Sequence, residues 1–140
     1  MGRFRKLFTF FFLLSLLSET ATLRAQSLTT IRDTVKNADS SNFYGQAIVS
    51  WQGFTAATGA TIAPHSTAVT ITNGYFSIVL VPTTNASTQA YYTVQYEAND
   101  GTVLWTEYWQ VPPSFSALTL NQVRVSSPPN SGGSGGSLSL

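Results

Sequence analysis

Cysteine is missing from all 140 residues of this chain, and histidine occurs once. Without cysteine the protein can form neither a disulfide framework nor a thiolate metal site. Small exported domains often depend on such cross-links, because their hydrophobic cores are limited. Here the free energy of folding must therefore come from the core alone.

Charged side chains are also scarce, at 9% of the residues, and most of the cations lie near the N-terminus. From residue 26 onward three cations stand against five carboxylates, a difference of −2, whereas the full chain carries +1. These residues are Arg32, Lys36 and Arg124 against Asp33, Asp39, Glu97, Asp100 and Glu107. Nucleic-acid binding requires clustered cations that displace phosphate counterions, so we expect no nucleic-acid partner.

A long apolar run occurs once, within residues 1–25. A basic start precedes the apolar run 7–17, and a polar segment then ends at Ala25. This order predicts a signal peptide for export through the Sec pathway, cleaved after Ala25, and a secreted or cell-surface location. A membrane anchor is the alternative, but the run falls short of the roughly 20 residues that cross a bilayer. After cleavage we expect no membrane association.

Groups for acid–base catalysis are few. His65, in a Pro-His-Ser turn, is the one imidazole of the chain. A Ser-His-Asp triad could take its acid from Asp33, Asp39 or Asp100, but no nucleophile-elbow sequence accompanies a serine. We therefore predict a solvated loop histidine at His65 and no enzyme activity.

The carboxylates give no metal or glycosidase site. Asp39 and Asp100 lie in separate predicted turns, and neither turn completes an EF-hand loop. Glu97 and Glu107 flank the predicted turn that contains Asp100, and they could be sought as a glycosidase pair. A domain of roughly 100 residues can hardly build the cleft that such an enzyme needs. We therefore expect neither a metal nor a cofactor.

The fold is organised around residues 91–111, in a chain without a convincing helical period of 3.6 residues. Two runs rich in aromatic and β-branched residues flank Asn99-Asp100-Gly101, a sequence that tolerates the positive φ angles of a tight turn. This pattern predicts a β-hairpin with Tyr92, Val94 and Tyr96 on one face.

Glu107 is the exception in the second strand of this hairpin, because it interrupts an apolar stripe. The stripe consists of Val103, Trp105, Trp109 and Val111. An unpaired buried carboxylate would cost several kcal/mol or stay protonated. We therefore predict that Glu107 has a cationic or hydroxyl partner, or that it lies near the exposed end of the strand.

A second hairpin is predicted at Asn73-Gly74, because both central positions of a type I′ turn require positive φ. It would join strands over residues 67–72 and 75–81, in which apolar and polar side chains alternate. Its inward residues would be Val69, Ile71, Phe76, Ile78 and Leu80.

Further strands are predicted at residues 28–35, 44–51 and 118–125. In the last of these the apolar parity changes between Leu120 and Val123, for which a β-bulge is the simplest cause. The small residues of the segment 52–66 predict a long connection with a short extended piece inside it.

About seven short strands separated by turn signals predict an all-β protein, folded as an antiparallel β-sandwich over residues 26–126. Residues 127–140 consist mainly of Ser, Gly and Pro and cannot bury enough apolar area to offset their ordering entropy. This segment is predicted to be a flexible linker, either to a further C-terminal segment or as a tether.

Three stretches carry a family resemblance: residues 45–49 (GQAIV), 73–82 (NGYFSIVLVP) and 92–96 (YTVQY). They resemble the carboxypeptidase regulatory-like, transthyretin-type (prealbumin-like) β-sandwich modules. More narrowly, residues 106–112 (TEYWQVP), followed by 118–120 (LTL) and 123–125 (VRV), look like the N-terminal modules of exported bacterial surface proteins and phage tail-fibre-like proteins. The resemblance implies a transthyretin-like sandwich, but such folds serve many unrelated roles.

The aromatic residues of the first hairpin carry the one hypothesis for a binding site. Strand side chains alternate between faces, so these residues cannot all point inward. Exposed aromatics on a sheet could stack on sugar rings or anchor a protein partner. The alternative is that they are covered and belong to the core. The candidate contact residues are Tyr91, Trp105, Tyr108 and Trp109.

Taken together, these patterns predict an exported, non-enzymatic β-sandwich that serves as a structural or adhesive module and tethers a further C-terminal segment. Its partner would be a protein or a cell-surface glycan, and oligomers could form through a C-terminal extension. The alternative function is that of a small carbohydrate-binding domain with exposed aromatics.

Overall fold

The structure is a computed structural model that describes residues 27–86 and 89–129. This part is nearly all-β with antiparallel sheets, as predicted, and its one helix has four residues. The predicted signal peptide (1–25) and residues 130–140 of the predicted linker lie outside the described residues. The elements are β1 (Thr29–Thr34), β2 (Gly45–Trp51), β3 (Phe54–Thr55), β4 (Thr61–Ile62), β5 (His65–Ile71), β6 (Tyr75–Leu80), β7 (Tyr92–Glu97), β8 (Val103–Trp109), α1 (Leu120–Val123) and β9 (Arg124–Val125).

The largest sheet has five antiparallel strands in the order β5-β2-β7-β8-β9. Strands β1 and β6 form a separate two-stranded sheet, in which Ile31 lies opposite Ile78. The short strands β3 and β4 pair with each other. The predicted strands 28–35 and 44–51 thus correspond to β1 and β2, in different sheets.

The hydrophobic core lies on one face of the five-stranded sheet, which we call the inner face. Tyr92, Val94 and Tyr96 alternate along β7 and are buried on this face, as predicted. Phe76 of β6 contacts Trp109 of β8 edge-on, with ring centroids 5.7 Å apart. The two-stranded sheet therefore shares one core with the five-stranded sheet.

The predicted hairpin of residues 91–111 is confirmed. Strands β7 and β8 pair so that Tyr92 lies opposite Trp109 and Tyr96 lies opposite Trp105. Between them the N–H of Gly101 donates to the carbonyl of Ala98 at 2.9 Å, with Gly101 at a φ of +83°. Glycine adopts this left-handed conformation without the steric cost of a Cβ.

The second predicted hairpin is wrong in its pairing, although its turn is present. Asn73 and Gly74 have φ angles of +52° and +76°, as a type I′ turn requires. Beyond a single bridge the flanking strands separate, because β5 pairs with β2 and β6 pairs with β1. Gly74 exchanges backbone hydrogen bonds of 2.8 Å with Val35 and Phe43, which hold the turn against another part of the chain. The turn is thus a corner between two sheets.

The predicted strand 118–125 is also wrong in part. Leu118 forms a parallel bridge with Ile31, and the chain then makes the helical turn α1 before it reaches β9. Residues three apart lie on the same side of a helix, so Leu120 and Val123 are both buried. A helical turn, and no β-bulge, therefore explains the change of apolar parity.

The connection 52–66 contains more structure than predicted. Its extended piece at residues 61–63 corresponds to β4, and β3 precedes it. His65 lies at the start of β5, opposite Trp51, and not in a turn. Its side chain is exposed, and its ring contacts that of Trp51 at 5.5 Å between centroids.

Candidate functional site

The alternation of side chains along β7 and β8 divides the four candidate aromatics between the two faces of the sheet. Trp105 and Trp109 lie opposite buried residues of β7 and share the inner face with them. Tyr108 lies opposite Thr93 on the other face, which we call the outer face. Its ring contacts that of Tyr91 at 6.1 Å between centroids.

Trp109 is fully buried, so it is not available as a surface contact for a ligand. Its ring packs against Phe76, in the centre of the core. Trp105 stacks on Tyr96 at 4.2 Å between centroids and is only partly buried. Of the four candidates, the structure therefore brings together Tyr91 and Tyr108 alone on the outer face.

Glu107 lies among these inner aromatics and is surrounded by donors. The indole N–H groups of Trp105 and Trp109 donate to its Oε1 and Oε2 at 3.2 and 3.0 Å. The hydroxyl of Tyr96 donates to Oε2 at 3.4 Å, and Nη2 of Arg124 lies 2.7 Å from Oε1. The prediction that Glu107 has a cationic or hydroxyl partner is confirmed, and each carboxylate oxygen has two partners.

The Tyr96 hydroxyl stays protonated, as its hydrogen bond to Glu107 requires. Burial raises the pKa of the Tyr96 hydroxyl far above its ordinary value, and the charge of Glu107 raises it further. The phenol therefore keeps its proton and remains a donor to the carboxylate. Burial likewise raises the pKa of Tyr92, whose hydroxyl donates to the carbonyl of Val81 at 2.8 Å.

A depression of about 320 Å³ adjoins Glu107 and Arg124, but the charged side chains that line it all have partners within the protein. Asp33 lines it, and its Oδ2 accepts the N–H of Leu120 at 2.8 Å. Lys36 also lines it and donates to a side chain of its own loop. Within residues 27–86 and 89–129, no buried side-chain nitrogen or oxygen lacks a partner. We therefore assign this cluster to stability, since it joins β1, β8, α1 and β9.

A second depression, of about 250 Å³, opens where the chain leaves β2 and enters β7. We call it the Trp51–Tyr91 depression. None of its lining side chains is charged. Two of the lining residues, Ser50 and Thr93, pair with each other, and Thr93 also pairs with Tyr108. The lining consists of Ser50, Trp51, Gln52, Gly53, Phe54, Gln89, Ala90, Tyr91 and Thr93.

Sequence reasoning missed Trp51 and Gln52 as members of a site. Trp51 ends the predicted strand 44–51 and Gln52 begins the predicted connection 52–66, and neither was named as a candidate contact residue. The structure holds the Trp51 ring through a 2.9 Å hydrogen bond from Nε1 to the carbonyl of Ala63. Trp51 is half-buried and is one of the residues that line the depression, while its ring packs against Tyr92 of the core. The sequence feature that could have identified these two residues is an aromatic residue at the end of a strand followed by an amide side chain.

In the described part of the chain, no helix is long and apolar enough to cross a membrane. Nor do three or more His, Cys, Asp or Glu side chains of that part converge in a way that could hold a metal ion. In comparisons with known proteins, no protein-family model and no curated protein matches the chain.

Proposed function

We propose that the chain is an exported, non-enzymatic adhesive module with a transthyretin-like β-sandwich fold. The sandwich is supported by the two antiparallel sheets, which share a core through the contact between Phe76 and Trp109. Export is supported by the order of basic, apolar and polar residues in 1–25. Residues 127–140 would then act as the linker that presents the module.

The outward pair of Tyr91 and Tyr108 carries the proposal of adhesion. A tyrosine ring that is only partly buried offers both an apolar face and a polar hydroxyl to a partner. The hydroxyls of the inner tyrosines are used within the protein, whereas Tyr91 and Tyr108 contact each other through their rings. Such a pair at the edge of a depression is a typical anchor of a binding surface.

The surroundings of the pair favour contacts by stacking and hydrogen bonds over contacts by charge. Thr93 lies between Ser50 and Tyr108 in one row across the outer face, and Gln95 lies between Ile48 and Thr106 in the next row. None of these residues is an Asp, Glu, Lys, Arg or His. Adhesion through this face should therefore depend little on ionic strength.

Export is tested by expressing the full chain and collecting the culture medium. The double substitution Leu13→Arg and Leu14→Arg places two charges in the apolar run and should hold the precursor inside the cell. The control Ser18→Ala lies outside the run and should leave export unchanged. Recovery of both variants from the medium in equal amounts would contradict the proposed signal peptide.

Adhesion is tested with beads that carry the exported protein, applied to surfaces coated with polysaccharides or with matrix proteins. Retention on one class of surface should fall about tenfold with Tyr91→Thr and Tyr108→Thr together, since two aromatic contacts are lost. Threonine preserves the preference for a strand. The matched control is Tyr75→Thr, because Tyr75 is 56% exposed on the other sheet. No retention on any surface would refute the proposal.

A carbohydrate-binding domain is the second candidate, favoured by the Trp51–Tyr91 depression beside the tyrosine pair. In that case the beads would be retained by polysaccharides alone. Retention by matrix proteins alone would favour a protein partner for the same face.

A further inference from the structure

The Trp51–Tyr91 depression has the size, charge and chemistry of a small polar ligand site. We propose that it binds one sugar residue of a neutral glycan. This inference rests on the proposed adhesive function and names the ligand class of the same face. The half-buried Tyr91 and Trp51 and the exposed Gln52 are among the residues that line the depression, and the Tyr91 ring and the Gln52 amide contribute different parts of sugar recognition.

The volume of the depression limits the ligand to about one ring. At about 250 Å³ it lies below the roughly 300–1,000 Å³ of pockets that enclose drug-sized ligands. It is also open to solvent beside Gln52 and Gly53, which are both exposed. A single sugar residue can therefore enter while the rest of a glycan chain stays outside.

The absence of charge in the lining selects a neutral ligand. A carboxylate or sulfate that enters the depression would lose hydration without gaining a cationic partner, which is unfavourable. The three cations of the described residues lie elsewhere: Arg124 pairs with Glu107, Lys36 donates within its own loop, and Arg32 lies in β1 of the other sheet. Acidic glycans should therefore bind more weakly than neutral glycans of the same size.

The polar groups of the lining match the hydroxyl groups of a sugar. The Gln52 amide offers two donors and one acceptor, and it makes no hydrogen bond with the described residues. The Ser50 hydroxyl donates to the carbonyl of Thr93 at 3.3 Å, so its oxygen is left as an acceptor. A sugar hydroxyl both donates and accepts, and it needs neighbours of both kinds.

The aromatic rings are held in place before any ligand arrives. Trp51 is fixed by its hydrogen bond to Ala63 and by an edge-on contact with Tyr92 at 5.4 Å between centroids. Tyr91 is fixed by its contact with Tyr108. Rings that are already ordered lose little conformational entropy on binding, so a weak ligand can use them. The apolar face of a sugar ring can then pack against the Tyr91 ring, while Trp51 holds the strand end beneath it.

The test is titration of the exported protein with neutral trisaccharides of gluco-, galacto-, manno- and xylo-configuration, and with sialylated and sulfated trisaccharides. The readouts are the indole fluorescence and the amide shifts of labelled protein. We expect at least one neutral trisaccharide to bind, and Gln52→Ala to weaken it about fivefold to tenfold through lost hydrogen bonds. The matched control, Gln95→Ala, lies on the outer face outside the depression and should leave affinity unchanged.

Substitution of Gln52 suits this test because its side chain is exposed and supports no other residue. Binding of acidic trisaccharides only, or equal loss with Gln52→Ala and Gln95→Ala, would overturn the inference. Bead adhesion that persists without binding of any trisaccharide would overturn it too and leave the adhesive function intact. Loss of both adhesion and trisaccharide binding in the unsubstituted protein would refute both proposals.

Discussion

Both faces of the β7–β8 hairpin carry aromatic residues, but these residues make different contacts on the two faces. On the inner face, Trp105 and Trp109 both donate to Glu107, and the carboxylate is left with no unused oxygen. On the outer face, Tyr91 and Tyr108 contact each other through their rings and border an uncharged depression. The polar groups around Glu107 are paired with one another, whereas the rings of the outer pair are only partly buried.

The difference shows that aromatic content alone does not identify a binding surface. What distinguishes the two groups is whether their polar atoms already have partners inside the protein. A saturated cluster gains nothing from a ligand, whereas leaving one of its members unpaired is costly. The inner face should therefore respond to substitution through stability, and the outer face through binding.

The largest expected effect is that of Trp109→Ala. Removal of a fully buried indole should lower the free energy of unfolding by about 3–5 kcal/mol, because a cavity is left in the core. The neighbour Tyr108→Ala, on the outer face, should cost about 1 kcal/mol or less. Urea denaturation followed by circular dichroism measures both. Equal losses of unfolding free energy in the two variants would contradict the expected difference between the two faces.

A somewhat smaller effect is expected for Glu107→Leu. The two indole N–H groups and the Tyr96 hydroxyl would lose their acceptor, at a total of about 2–4 kcal/mol in unfolding free energy. The control is Glu97→Leu, which removes one hydrogen bond from Gln46 on the outer face and should cost about 1 kcal/mol. A Glu107 variant no less stable than the control would show that the cluster is dispensable.

The inner tyrosines predict a loss of stability in alkaline solution. The pKa values of Tyr92 and Tyr96 are raised in the folded protein by burial, with an added effect of Glu107 on Tyr96. Below the ordinary tyrosine pKa of about 10, their contribution to the free energy of unfolding is complete. Above this pH the contribution of each tyrosine falls by about 1.4 kcal/mol per pH unit. Urea denaturation between pH 9 and 11 measures this slope.

Tyr96→Phe provides the control for that slope, since it removes one of the two groups. The variant should lose about half of the decline in unfolding free energy above pH 10. A slope identical to that of the unsubstituted protein would mean that Tyr96 ionises equally in the folded and unfolded states.

The smallest effect is expected for the ion pair at the rim of the inner cluster. The Arg124 side chain is 46% exposed, so solvent screens its contact with Glu107. A double-mutant cycle with Arg124→Met and Glu107→Gln should give a coupling energy of about 1 kcal/mol or less, which decreases with added salt. A coupling of about 3 kcal/mol or more would place Arg124 among the buried members of the cluster.

Local patterns in the sequence predicted the parts of the fold that depend on local chemistry. The alternation of Tyr92, Val94 and Tyr96 and the Asn99-Asp100-Gly101 turn predicted the hairpin, and the apolar stripe around Glu107 predicted its need for a partner. The identity of that partner could not be predicted, because Arg124 reaches Glu107 only through the pairing of β8 with β9.

The predictions that were wrong or incomplete concern features whose structure depends on residues distant in the sequence. Asn73-Gly74 specifies a turn, but hydrogen bonds to Val35 and Phe43 decide that its strands belong to two sheets. A four-residue helix is too short to show a period, so α1 was mistaken for part of a strand. The Trp51–Tyr91 depression was missed for a similar reason, since residues far apart in the chain line it.

The corner at Asn73-Gly74 also has a consequence for the order of folding. Among the described strands longer than two residues, it leaves β7–β8 as the one pair joined by a tight turn. Pairings across long loops must overcome a larger entropy of closure before they gain contacts. We therefore expect the β7–β8 hairpin to form early, so that its substitutions slow folding, and the corner to form last, so that Gly74→Ala mainly accelerates unfolding.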